Sequence, residues 1–150
     1  MEPETSKPSE AEKVVITAEI TTFLKLNRDL DVKGLNIYMA RCGVVPQEEL
    51  NKIQSLSEEE LAEAKEKMKH IQMMTPVDAD VIVGLKSPEA VWDKVTVPKG
   101  EGDDSPIGAA IHITEIPVTD PMFHKPAKCS IAATQTKSDG LWTIISFDCR

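Results

Sequence analysis

Apolar residues in the first half of the chain recur at helical spacing, whereas those in the second half alternate with polar ones. Residues 14–28 mix the two patterns. Val14, Ile16, Ala18 and Ile20 alternate as in a strand, but Ile20, Phe23, Leu24 and Leu26 line one helical face with charges behind it. A Ser9-x-x-Glu12 capping box stands upstream, and a helix over 14–28 is expected. A second stripe, Leu35, Tyr38, Met39 and Cys42, ends at Gly43, which suits the left-handed residue after a helix. A short helix opening on Pro46 follows, carrying Leu50 and Ile53. The clearest helix begins at a second capping box, Ser57-x-x-Glu60, with acids at the positive end of its dipole. Leu61, Ala64, Met68 and Ile71 form its buried stripe.

After Thr75-Pro76 the period becomes extended. Residues 80–85 read as a strand, 87–92 as one helical turn and 95–97 as a further extended piece. Residues 98–106 have loop composition. Ile107, Ala109, Ile111 and Ile113 alternate as a half-buried strand, and 117–126 read as a loop with three prolines. Residues 129–136 and 141–149 then flank Ser138-Asp139-Gly140, a three-residue hairpin loop with Gly140 left-handed. That register sets Lys137 against Leu141, Cys129 against Cys149, Ile131 against Phe147 and Ala133 against Ile145. The reverse face pairs Ser130, Ala132, Thr134 and Thr136 with Asp148, Ser146, Ile144 and Trp142. The expected fold is α+β: an N-terminal segment of about three helices packed on a C-terminal antiparallel sheet that ends in a hairpin. Residues 1–9, with two prolines and few apolar groups, are expected to be a disordered tail, and 10–150 a single domain.

Composition narrows the partners. Of 150 residues 41% are hydrophobic but only 4% aromatic, so the core must be mainly aliphatic. The net charge is −8, spread as −4 on each side of Met74, with no basic arm hidden by averaging. A diffuse negative field opposes nucleic acid and anionic membranes and suits a protein partner with a basic surface. The polar start and the lack of any apolar run near the roughly 20 residues that span a bilayer predict neither secretion nor a membrane anchor. Three cysteines without C-x-x-C spacing are expected to be reduced thiols in a cytoplasmic protein, Cys129 and Cys149 included.

The chemistry-bearing residues are sparse. His70, His112 and His124 are isolated, and no metal-ligand spacing or cofactor motif is present. Asp78-Ala79-Asp80 and the acids at Glu101, Asp103 and Asp104 read as solvated loop carboxylates rather than cation ligands. The segment 34–50 has the outline of a helix-turn-helix, but its second helix opens on Gln47, Glu48 and Glu49, which would face phosphates. Two functional readings remain. The first is a small acidic interaction module, an adaptor, inhibitor or accessory subunit rather than an enzyme. It would bind through Met122, Phe123 and His124, the first two apolar where a surface loop is ordinarily polar. The alternative is a small-molecule binder or enzyme with a pocket between helices and sheet. In it His112, oriented by Asp148 beside Ser146, would act as a general base, and Thr134 and Trp142 would line the ligand.

Overall fold

The computed structural model describes residues 4–40, 47–74, 78–96, 107–119, 123–137 and 140–149. Helices precede four of the five strands, as expected, and one short strand stands ahead of them. The helices are α1 (Glu10–Arg28), α2 (Val32–Ala40), α3 (Gln47–Gln54), α4 (Glu58–Met74) and α5 (Asp78–Leu85). The strands are β1 (Glu4–Ser6), β2 (Val91–Thr96), β3 (Ile107–Thr119), β4 (Pro126–Thr136) and β5 (Trp142–Cys149). They form one antiparallel sheet in the order β1-β2-β3-β4-β5. The core lies between one face of this sheet and α1, α2 and α5. It holds Ile16, Ile20, Phe23, Leu24 and Tyr38 from the helices. The sheet contributes Ile111, Ile113, Ile131 and Ile144 among others.

The capping boxes define two helix starts. At α1 the Ser9 hydroxyl accepts the Glu12 N–H while Glu12 accepts the Ser9 N–H. At α4 Ser57 and Glu60 exchange the same pair of bonds. The strand-like alternation at the start of α1 resolves as a helix face. Ile16 and Ile20 are fully buried, whereas Val14 is 70% exposed and Ala18 also faces out. Thr17, Thr21 and Thr22 bond their hydroxyls back to the carbonyls four residues earlier, which accommodates them inside the helix. On α4, Leu61, Ala64 and Met68 are half-buried, and α3 has no buried residue.

Four expectations need correction. Residues 80–85 belong to α5, not to a strand, so the helix-to-sheet division falls after Leu85 rather than at Thr75-Pro76. A continuous apolar run suits either element. Here Val81 and Leu85, one turn apart, are both buried while Val83 is 71% exposed. A strand would have put all three on one face. The helical turn expected over 87–92 is instead a turn followed by β2. Residues 4–6, expected to be disordered, pair with β2 through Glu4↔Thr96 and Ser6↔Lys94. The proline loop is shorter than its composition implies, because Pro117 and Pro126 lie within β3 and β4. A bulge between Ile113 and Ile116, with Glu115 at φ 58°, returns Ile116 to the core and carries β3 on to Thr119.

In the hairpin the outer register is as expected: Cys129↔Cys149, Ser130↔Asp148, Ile131↔Phe147 and Ala132↔Ser146. Nearer the turn it shifts by one, to Ala133↔Ile144, Thr134↔Thr143 and Gln135↔Trp142. The loop has four residues, 137–140, since the Thr136 N–H donates to the Leu141 carbonyl and Gly140 closes it at φ 71°. A bulge at Ile145 absorbs the extra residue. Beside it, the Tyr38 hydroxyl accepts the buried Ile144 N–H at 3.0 Å on this edge strand. Tyr38→Phe would leave that N–H without its partner and is expected to cost about 1–2 kcal/mol in urea melts. An unchanged midpoint would show that this bond adds nothing to stability.

Cys129 and Cys149, expected as reduced thiols, form a disulfide across the β4–β5 pair. Their side chains share a face at directly opposed positions, which is what the register implied. Cys42, Met122 and the acids at 101, 103 and 104 lie outside the described residues.

Candidate functional site

The two sheet faces divide the expected site residues. Trp142 lies on the helix-covered face and is 3% exposed, within the core. His112 occupies the opposite face and is exposed. The register places it in a row that runs Asp93, His112, Ala132, Ser146 across β2 to β5. Thr134 lies one row away, buried, and Asp148 lies one row away in the other direction, paired with Ser130. His112, Thr134, Ser146 and Asp148 thus share a face, but it is not the face the helices cover. The pocket expected between helices and sheet is not built from these residues. The carboxylate opposite His112 is Asp93, which the sequence did not single out because it fell between the helical turn expected over 87–92 and the extended piece at 95–97. Asp93 is itself bonded to Lys7 at 2.7 Å, at the end of the β1 extension. Among the described residues no three His, Cys, Asp or Glu groups converge in a way that would hold a metal.

At one end of the sheet a cleft of about 470 Å³ is lined by Glu115, Lys128, Ser130 and Asp148, among others. Lys128 bonds Glu115 across the β3 bulge, and that hydrogen bond together with the Glu115 charge holds the ammonium pKa above its ordinary value. In sequence this end leads into the connection between β3 and β4. There Phe123 is 68% exposed and His124 is exposed with φ 54°. Phe123 is therefore not part of the core.

A second, more apolar groove of about 610 Å³ lies between α1 and the 85–92 segment. Val14, Leu85, Pro88, Ala90 and Trp92 supply its apolar lining. The geometry here is fixed by an ion pair. Lys94 on β2 reaches Glu12 at 2.5 Å and ties the first turn of α1 to the sheet, with both side chains largely buried. Burial raises the Glu12 carboxyl, but bonds from Lys94 and the Ser9 backbone outweigh it and hold the group below the ordinary carboxylate range. Beside it Lys13 lies 5.6 Å from the Trp92 ring centroid, within cation–π range, and 3.6 Å from Glu10. Sequence reasoning missed this groove because its walls are some 70 residues apart in the chain. One local signal was present: Val14 and Val15 are apolar residues off the α1 core stripe, and they are 70% and 50% exposed.

Comparison with known proteins finds no match: no family model, no curated protein and no solved structure is similar to the chain. Among the described residues no helix is long and apolar enough to cross a membrane.

Proposed function

We propose that this chain is a protein–protein interaction module, an adaptor, inhibitor or accessory subunit that works through its surface rather than by catalysis. The observation that carries this reading is Phe123, a large ring left 68% exposed between two strands and outside the core. Exposed aromatic side chains are the kind that dominate binding energy when a partner covers them. The net charge of −8 favours a partner with a basic surface over nucleic acid or an anionic membrane. The expected cytoplasmic location loses part of its basis with the Cys129–Cys149 bridge, because reduced thiols were one of its two supports. The catalytic alternative has less to stand on, since His112 faces outward and Asp148 lies in a different row.

Phe123→Ala is the direct test. The substitution touches no core contact, so the melting temperature should move by no more than about 2 °C. Capture of a partner, followed by mass spectrometry against the wild-type chain, should be lost. A variant that unfolds, or one that captures the same proteins as wild type, removes the main support for this reading.

A further inference from the structure

We infer that the groove between α1 and residues 85–92 docks a short apolar segment of a partner protein that carries a carboxylate. The inference rests on the interaction reading above and gives it a second place on the surface. The groove's volume, about 610 Å³, falls in the range of ligand-binding clefts, and the groove is open to solvent. Its floor is apolar and nearly closed to water, with Trp92 7% and Leu85 5% exposed. Its lip carries Val14, 70% exposed, on the flank of α1 that the core does not use. The exposed lip leaves apolar surface in water that an aliphatic side chain of the partner would cover.

Charge selects the rest of the occupant. The chain as a whole is at −8, yet the groove is lined by two lysines, Lys13 and Lys86, against one carboxylate, Glu10. Lys13 lies near Glu10 and over the Trp92 ring. Lys86, exposed at the other rim, has no ion-pair partner among the described residues. A carboxylate on the docked segment would meet Lys86 directly and Lys13 at the next position. This does not conflict with a partner that is basic overall. The −8 field acts over about a Debye length, roughly 8–10 Å, while the lysines act at contact.

A random heptapeptide library displayed on phage and panned on the intact chain tests the inference. The enriched sequences should combine two or more large apolar residues with Asp or Glu. A synthetic copy of an enriched peptide should bind Val14→Lys about tenfold more weakly than wild type, with both chains giving the same circular dichroism. Panning on Lys86→Glu should turn the selected charge from acidic to basic. Three outcomes overturn the inference: no enrichment, basic consensus sequences on the wild-type chain, or peptides that bind Val14→Lys as well as wild type. Peptides of that last kind that are lost on Phe123→Ala would leave the interaction reading standing and move the docking site to the β3–β4 connection. An absence of enrichment joined to partner capture indifferent to Phe123→Ala would end both.

Discussion

Reducing the Cys129–Cys149 bridge is expected to lower the melting temperature of the chain by about 10 °C. The two cysteines are 20 residues apart and close the final hairpin at its open end. A cross-link over a loop of that length removes roughly 3 kcal/mol of freedom from the unfolded chain. In a domain of this size each kcal/mol corresponds to about 2–4 °C. Strand β5 makes the consequence larger than local fraying. It is an edge strand, paired only with β4 through backbone bonds, and its outer edge meets the helices through Tyr38. With the bridge open, the segment beyond the Ile145 bulge keeps Phe147 half-buried but loses its covalent anchor. Scanning calorimetry with and without a dithiol reductant, repeated on Cys149→Ser, provides the measurement. Reduction and substitution should give the same loss. A reductant-insensitive melting temperature would mean that the thiols are not joined in the folded chain, as the cysteine count alone had suggested.

What could be read from the sequence follows the range of the interactions that decide each feature. The start of α4 was legible because a capping box is complete within four residues, and the same signal at Ser9 starts α1 at Glu10, four residues before the expected beginning at Val14. The outer half of the hairpin was legible because its apolar alternation fits one register. The inner half was not: beside its bulge the strand meets a hydroxyl 106 residues away, a contact that no local pattern announces. The same limit applies to the candidate sites. Alternation correctly grouped His112 with Thr134, Ser146 and Asp148, but nothing local said which sheet face the helices would cover. The apolar content of the two faces is the physical answer: Ile111, Ile113, Ile131 and Ile144 lie on one of them, and burial of aliphatic area draws the helices there. From the sequence that argument was incomplete, because the expected register put Ile144 and Trp142 on the His112 face, and only the shift at Ile145 turns both toward the helices. The groove beside Val14 was out of reach because its walls, α1 and residues 85–92, meet only in the folded chain.

Gly84→Ala is expected to destabilise the chain by about 1–2 kcal/mol, although alanine is the better helix former. Two effects oppose each other at this position. Inside a helix, glycine is worse than alanine by up to about 1 kcal/mol. Against that, a Cβ on Gly84 would lie 2.4 Å from the Pro117 carbonyl oxygen and 2.8 Å from Ile116 Cγ2. The first of these is backbone in β3, whose Pro117 is registered against Lys128 of β4, so it cannot swing aside as a side chain can. Either α5 lifts off the sheet or β3 shifts, and overpacking of this kind costs about 1–3 kcal/mol, the upper part of the range applying where backbone is struck. The steric term therefore wins. Val83→Ala is the matched control one residue away. Val83 is 71% exposed on the outer side of α5, and its replacement should leave stability within about 0.5 kcal/mol of wild type. Urea denaturation of the two variants separates the readings of 80–85. A helix seated on β3 through Gly84 gives a large loss at 84 and almost none at 83. A strand, in which Val83 would pack with Val81 and Leu85, gives a large loss at 83 instead. Equal midpoints for wild type and Gly84→Ala would show that α5 does not approach β3 as closely as the fold requires.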